Sequence, residues 1–279
     1  MESLVTTAWL AEQLGRGDLR VLDASLHLSA TGRDAAAEFE AGHIPGAHFL
    51  DLAALRDPTS PLPNTLPTPA QAAARFAALG LERSDRIALY DDSPLVSAAR
   101  AWFVLRGFGF ERLALLDGGL RKWREEGRPL VSGVSAIPPT PHSPIAFTGP
   151  VRDKADMLTN IASRTEQVID ARDPERFAGT SADTVHGLPG GHIPGTRNLY
   201  YRELFHADGT FRLPAELRAA FAAAGIDPAR PIAASCGSGV TAAVVLFALH
   251  LLGEQGSLYD GSWSEWGADP TTPKATGPA

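Results

Sequence analysis

The sequence has little of several features that would place it in other classes of protein. It has one cysteine, Cys236, in 279 residues, so it cannot form an internal disulfide or a cysteine-rich zinc site. It has 25 basic residues against 32 acidic ones, a balance that argues against nucleic acid as a partner. Its longest apolar run, residues 240–252, is shorter than the roughly 20 residues that span a bilayer. We therefore expect neither nucleic acid nor membrane as a partner.

The beginning of the chain also lacks the pattern of a secretory signal. "MESLVTTAWLAEQL" has an acid at Glu2 and neither a basic region nor a long apolar one. Together with the single thiol, this predicts a cytoplasmic protein. The 44% hydrophobic and 20% charged residues are typical of a globular protein, and the length predicts about two domains.

The chain repeats itself in four blocks that occur in one order. "VLDA" at position 21 recurs as "VIDA" at 168, a spacing of 147 residues. "GHIPG" at position 42 recurs at 191, a spacing of 149 residues. "LPTPAQAAARFAALGL" resembles "LPAELRAAFAAAGI", and "LLDGGLRKW" resembles "LYDGSWSEW". Order and spacing together indicate two copies of one domain.

Within each copy, short apolar runs alternate with helical patterns. This alternation predicts an α/β fold in which each copy has a mostly parallel sheet with helices on both faces. The proline-rich segment between the copies reads as an extended linker. We expect a first domain over 1–130, a linker over 131–153, a second domain over 154–270 and a loose tail over 271–279.

Cys236 stands where the predicted strand "PIAAS" ends and an apolar helix begins. Gly237 and Gly239 let the backbone curl, and the helix N-terminus supplies unpaired N–H groups and a positive dipole end. Such a loop binds anions and would stabilise a nucleophilic thiolate. The simpler alternative is that Cys236 is a small buried apolar residue, but its position and the flanking glycines favour the reactive thiol.

The residues "CGSGVT" at 236–241, with "DGSW" at 260–263 and the two "GHIPG" turns, resemble the tandem-domain rhodanese family. The likeness is strongest to the branch that uses 3-mercaptopyruvate. It implies two rhodanese-like domains, the second catalytic, and a reaction that needs no metal or organic cofactor. It also implies that Cys236 takes a sulfur atom from a small-molecule donor and passes it to cyanide, a thiol or a thioredoxin-like reductant.

The resemblance also implies further site residues. Arg176 would hold the negative group of the donor, and His186 and Ser262 are additional candidates at the pocket. Arg172, close to Arg176, is expected in a structural ion pair. The loop residues that would bind the donor are Gly237, Ser238, Gly239, Val240 and Thr241.

The first copy differs at the position of the cysteine. Asp91 aligns with Cys236, and we expect this copy to be catalytically silent, with Asp91 and Asp92 capping the following helix. His43 and His192 occupy the same place in the two "GHIPG" turns. Because one of these copies is silent, we expect both histidines to be structural.

Three departures from the family pattern bear on the donor. Val185 stands where mercaptopyruvate enzymes usually carry a second arginine, and Ala53 and Asn64 stand where they usually carry an Asp–His pair. Basic residues usually follow the cysteine in thiosulfate enzymes, whereas Gly237 and Ser238 are neutral. The sequence therefore favours 3-mercaptopyruvate as donor and leaves thiosulfate as the alternative.

Two other functional classes are compatible with parts of the sequence. A cysteine phosphatase or arsenate reductase would need a longer loop that is closed by an arginine. In this sequence Ala242 follows Thr241, and the loop has no arginine. A persulfide-binding module without turnover would account for the missing arginine, aspartate and histidine, but not for the intact cysteine loop. Sulfur transfer is the function that the sequence supports best.

Overall fold

The computed structural model describes residues 1–134 and 136–278; Ser135 in the predicted linker and Ala279 in the predicted tail lie outside this part. The chain divides into two compact units. Unit 1 comprises Met1–Thr59, Leu66–Gly149 and Ala207–Thr210. Unit 2 comprises Ser60–Thr65, Pro150–His206 and the chain from Phe211 onward.

Each unit contains a five-stranded sheet. The strands of unit 1 are β1 (Leu4–Val5), β2 (Leu19–Asp23), β3 (Ala47–Phe49), β4 (Arg86–Tyr90) and β5 (Leu113–Leu116). Those of unit 2 are β6 (Val151–Arg152), β7 (Gln167–Asp170), β8 (Arg197–Asn198), β9 (Ile232–Ser235) and β10 (Ser257–Tyr259). The strand orders are β1-β5-β4-β2-β3 and β6-β10-β9-β7-β8, and neighbouring strands pair in parallel.

Helices connect most of the strands. In unit 1 they are α1 (Thr7–Gln13), α2 (Ala35–Ala41), α3 (Pro69–Ala78), α4 (Ala98–Gly107) and α5 (Gly119–Glu125). In unit 2 they are α6 (Lys154–Ser163), α7 (Pro174–Ala178), α8 (Pro214–Ala223), α9 (Ala242–Leu251) and α10 (Ser262–Trp266). The identical strand order and matching helices confirm the predicted duplication and the α/β fold. No helix in the described part of the chain has the length and apolar character needed to cross a bilayer.

The middle strand of unit 2, β9, forms although its "IAAS" sequence has weak β propensity. Its neighbours β7 and β10 pair along both of its edges, so the sheet supplies the stability that propensity does not. The following helix α9 is apolar on all sides, and its residues from Ala242 to Leu249 are buried. A strand and a helix that are both buried hold the connecting loop between two rigid elements.

The linker is shorter than predicted, and part of the predicted loose tail is ordered. Val151 and Arg152 already form β6 beside β10, so the second sheet begins inside the predicted linker. The tail is not loose around Ala275, which forms an antiparallel bridge with His192. Thr272 is also buried, and its hydroxyl donates to the Trp266 carbonyl at 2.6 Å. The tail therefore packs on unit 2 through hydrogen bonds that its composition did not reveal.

The aspartates of the first copy have different roles. Asp91 accepts hydrogen bonds from the N–H groups of Ser93 and Ala98, both at 2.8 Å, and thereby caps the start of α4 as expected. The capping prediction is wrong for Asp92, whose carboxylate instead pairs with Arg33 and Arg124. The exposed arginines compete more strongly for this carboxylate than the helix terminus does.

The burial of Asp91 leads to a prediction for the pH dependence of stability. Burial raises the pKa of Asp91 to about 7, against 3.8 for the free carboxyl. The folded state then binds this proton more tightly than the unfolded state, so the free energy of unfolding falls as the pH rises between these values. Between pH 5 and pH 7 we expect the free energy of unfolding, measured by urea denaturation, to fall by about 2 kcal/mol more for the wild type than for Asp91→Asn. A difference between the two proteins that does not change with pH would contradict the raised pKa.

Candidate active site

Cys236 directly follows β9, at the carboxyl end of the middle strand of unit 2. This is the edge at which open α/β sheets bind ligands. Its side chain is buried, with 2% exposed. The loop turns back at Gly239, whose φ of +78° is in the left-handed region that glycine adopts without strain. The chain then enters α9, so the thiol lies at the start of a buried helix.

The "DGSW" segment holds the first half of this loop by hydrogen bonds to its backbone. The Ser262 hydroxyl accepts the Cys236 N–H at 3.2 Å and donates to the Tyr259 carbonyl at 2.9 Å. The N–H of Trp263 donates to the Cys236 carbonyl, and Ser264 donates to the Gly237 carbonyl through both its N–H and its hydroxyl. These bonds use the N–H of Cys236 and the carbonyl groups of Cys236 and Gly237. They use none of the loop N–H groups that follow Cys236.

Four other N–H groups of the loop are available to a ligand. In the part of the chain that the structure describes, the N–H groups of Gly237, Ser238, Val240 and Thr241 donate to no protein acceptor. They lie together with the N-terminus of α9, whose dipole favours negative charge. The loop can therefore stabilise an anionic sulfur at Cys236 and an anionic donor beside it.

Gly237 is required for a reason other than its backbone angle. A Cβ atom at this position would overlap the imidazole ring of His186, the nearest atom being Cε1. The ring of His186 therefore packs directly on the backbone next to the cysteine. Its Nδ1 lies 2.9 Å from the Asp183 carboxylate, which orients the ring.

Asp183 links His186 to Arg176. The Asp183 side chain is fully buried, and its Oδ1 lies 2.9 Å from His186 Nδ1 and 3.4 Å from Arg176 Nη1. Burial opposes its ionisation, but the hydrogen bond from His186 and the charges of Arg176 and Arg172 lower its pKa to about 2. Asp183 is thus ionised at neutral pH, and His186 Nδ1 donates to it, which leaves Nε2 at the other side of the ring.

The two arginines of this segment have different environments. Arg172 is buried, pairs with Asp170 at 2.6 Å and stacks on Trp263 at 4.5 Å, which confirms the predicted structural ion pair. Arg176 bonds Asp173 at 2.5 Å and retains a side chain that is 23% exposed. Of these two arginines, Arg176 is therefore the one whose side chain is partly exposed to a donor.

One residue from the first copy of the sequence belongs to the structure of unit 2. Asn64 adopts φ of +56°, and its Nδ2 donates to the Ser238 hydroxyl at 3.0 Å. The amide orients this hydroxyl, but it has no proton to exchange at neutral pH. Asn64 can therefore position Ser238 without acting as its general base.

Both units match one known domain. A profile of the rhodanese-like domain matches residues 6–126 and again residues 153–269, which together are most of the chain. The chain belongs to the rhodanese family. The predicted resemblance to tandem-domain rhodaneses is confirmed.

Several similar proteins are named sulfurtransferases. The 3-mercaptopyruvate sulfurtransferase of Escherichia coli K12 is 40% identical over 269 residues, covering 95% of each chain. The thiosulfate/3-mercaptopyruvate sulfurtransferase 2 of Arabidopsis thaliana is 38% identical, covering 98% of this chain and 86% of the relative. The crystal structure of SseA, an Escherichia coli 3-mercaptopyruvate sulfurtransferase, superimposes with a TM-score of 0.86 at 39% identity, over 94% of this chain and 99% of SseA.

The rhodanese active loop and the predicted site residues come together only in part. Asp183 joins Arg176 to His186, and the His186 ring packs against the loop at Gly237. Ser262 has no exposed surface, and its hydroxyl is engaged on both sides, so it supports the loop and does not face a donor. Val240 and Thr241 are also buried.

The histidines of the two "GHIPG" turns have the same environment in both domains. The rings of His43 and His192 stack at 3.9 Å on Phe39 and Phe177, and each Nδ1 bonds the carbonyl of that phenylalanine. This shared packing confirms that both histidines are structural.

Sequence reasoning missed Asp183, the residue that connects Arg176 to His186. A signal was present, because Asp183 precedes His186 by three residues, a spacing that lets their side chains meet across a turn. Full burial of a carboxylate against Arg172, Arg176 and His186 is, however, a property of the folded chain.

Proposed function

We propose that the protein transfers sulfur from 3-mercaptopyruvate, through a persulfide on Cys236, to cyanide or a thiol acceptor. The observation that carries this proposal is the position of the only thiol. It follows the middle strand, and among the described residues the N–H groups of Gly237, Ser238, Val240 and Thr241 donate to no protein acceptor. The names of the relatives support the same reaction class.

The reaction has two steps. In the first, the Cys236 thiolate attacks the sulfur of 3-mercaptopyruvate, the S–S bond forms and the C–S bond of the donor breaks. The electron pair of that bond leaves with the carbon, which takes up a proton to give pyruvate. In the second, the acceptor attacks the outer sulfur, the S–S bond breaks and the Cys236 thiolate returns. No redox cofactor is needed, because the electrons balance within each step.

Arg176 and His186 are proposed to hold the carboxylate end of the donor. A guanidinium can bind a carboxylate through two parallel hydrogen bonds. The Arg176 side chain is 23% exposed, and His186 Nε2 offers a second polar group close to Gly237. The loop N–H groups and the Ser238 hydroxyl would contact the sulfur and the carbonyl oxygen of the donor. The carbonyl oxygen gains negative charge when the electron pair of the C–S bond moves onto carbon.

Thiosulfate is the second candidate donor, and the exposed Val185 is the observation that favours it. A family enzyme with both arginines would grip a carboxylate from two sides, whereas Val185 is 43% exposed and offers no charge. Steady-state turnover with each donor in parallel, and with cyanide as acceptor, tests the proposal. A higher kcat/KM with 3-mercaptopyruvate supports it, and turnover with neither donor would leave only a persulfide-binding role.

Val185→Arg should improve the use of 3-mercaptopyruvate. The side chain is exposed, so an arginine fits without repacking the core, and it adds a second group for the carboxylate. We expect kcat/KM for 3-mercaptopyruvate to rise several-fold, with a smaller change for thiosulfate. Val185→Gln is the matched control for side-chain length without charge. Equal gains with both donors would indicate a general charge effect and not a carboxylate contact.

The acceptor and the compartment are also part of the proposal. A thioredoxin-like dithiol could remove the outer sulfur from Cys236, since the chain has no second cysteine to resolve the persulfide. A free, reactive thiol is maintained in a reducing compartment, so we place the protein in the cytoplasm.

A further inference from the structure

A recess of about 200 Å³ opens at the end of unit 2 opposite the cysteine loop. Gln167 and Arg197, which line it, begin β7 and β8, whereas Cys236 follows the end of β9. Because these strands are parallel, their beginnings lie at the other edge of the sheet. The recess is therefore separate from the proposed active site.

Three arginines line this recess without a carboxylate partner. Arg164, Arg197 and Arg230 form no ion pair within the described part of the chain, although the protein has an excess of acidic residues. The one carboxylate in the wall, Glu166, is already occupied. It accepts two hydrogen bonds from Arg152, at 2.7 and 3.0 Å, and one from Ser257 at 3.0 Å. The recess thus carries an uncompensated positive charge.

Local backbone geometry gives the arginines their places in the wall. Arg164 ends α6 in the left-handed conformation, and its guanidinium lies where a side chain on Gly195 would be. The Nε atom of Arg197 lies 3.7 Å from the position that a Cβ atom on residue 225 would occupy. Glycine at position 195 therefore leaves space for the Arg164 guanidinium.

The first copy of the domain shows that the fold does not require this charge. The strand pairings of the two sheets place Gly17, His48 and Asp85 where unit 2 has Arg164, Arg197 and Arg230. Asp85 is moreover neutralised by Arg20 at 3.2 Å. Unit 1 has no arginine at these three positions, so the fold itself does not require the three arginines of unit 2.

We propose that this recess, the arginine recess, binds a compact small-molecule anion with two or more negative charges, of the phosphate-bearing class. Arginine forks match phosphate oxygens by paired hydrogen bonds, and three of them around one opening suit a polyphosphate group better than a single carboxylate. The recess has room for a group of this size but not for a buried macromolecular chain. The ligand would bind without contacting Cys236.

Titration of the full-length protein with pyrophosphate by isothermal calorimetry tests this. We expect binding to the wild type, and Arg164→Gln, Arg197→Gln and Arg230→Gln each to weaken it by about tenfold. Arg230→Asp, which installs the residue of the first copy, should weaken it further. Arg16→Gln removes an exposed charge from unit 1 and should leave the affinity unchanged. Thermal denaturation of each variant shows whether it is folded.

The controls separate this recess from the cysteine loop, which also offers N–H groups to an anion. If Arg176→Ala abolishes pyrophosphate binding and the three recess variants retain it, the anion binds at the cysteine loop and the proposal is wrong. Absence of binding to the wild type, or equal weakening by Arg16→Gln, would also overturn it. Because sulfur transfer is measured separately, failure here would not alter the proposed function.

Discussion

Cys236→Ser should abolish sulfur transfer from both donors while leaving a folded protein. The hydroxyl cannot form a persulfide, and no other thiol in the chain can take over the reaction. We expect kcat to fall by at least about a thousandfold, the scale usual for loss of a nucleophile. The measurement is steady-state production of thiocyanate from 3-mercaptopyruvate and cyanide, and of the same product from thiosulfate.

Two controls make this result specific. Cys236 is buried and similar in size to serine, so circular dichroism and the midpoint of urea denaturation should change little. Ser238→Ala removes a neighbouring hydroxyl in the same loop and should retain measurable turnover, because the loop N–H groups are unaffected. Turnover by Cys236→Ser above the uncatalysed rate would rule out the persulfide pathway.

Arg176→Ala should produce the second-largest loss, and it should depend on the donor. Losing a charged hydrogen bond costs about 1.5–3 kcal/mol, which is a ten- to hundredfold effect. We expect kcat/KM for 3-mercaptopyruvate to fall by this factor, mainly through KM, because the carboxylate contact is the same in the bound and transition states. Arg176→Lys should restore part of it, since an ammonium keeps the charge but loses the paired geometry.

Asp183 and Asp173 offer a matched pair for the same site. Both carboxylates contact Arg176, but only Asp183 also orients His186. Asp183→Asn should therefore impair 3-mercaptopyruvate turnover more than Asp173→Asn, which preserves a good helix cap at the start of α7. Similar losses in the two variants would indicate that His186 does not help to place the donor.

An unchanged kcat/KM in Arg176→Ala would show that the donor is held elsewhere.

Much of the fold could be predicted because the sequence repeats its own pattern. The recurrence of "VLDA" at a spacing close to that of the other repeated blocks identified β2 and β7 as equivalent strands, and the two sheets agree in strand order. The position of Cys236 at a strand end followed from the apolar run before it and the helix after it. These features are local in sequence, and local patterns are what sequence reasoning reads well.

The features that were missed depend on contacts between distant segments. Asn64 is 174 positions from Ser238, and no periodicity relates the two. Gly237 appeared to serve backbone curvature, whereas the structure shows that it makes room for His186, 51 positions earlier. The tail was predicted from composition to be loose, yet Ala275 pairs with His192. In each case the partner is set by tertiary packing.

The central claim is that Cys236 itself carries the transferred sulfur, and intact-protein mass spectrometry tests it most directly. After treatment with 3-mercaptopyruvate and removal of excess donor, the wild type should gain the mass of one sulfur atom, and Cys236→Ser should gain none. Adding cyanide should then restore the original mass and release one thiocyanate for each sulfur lost. A wild type that turns over without gaining this mass, or a Cys236→Ser variant that gains it, would contradict the account.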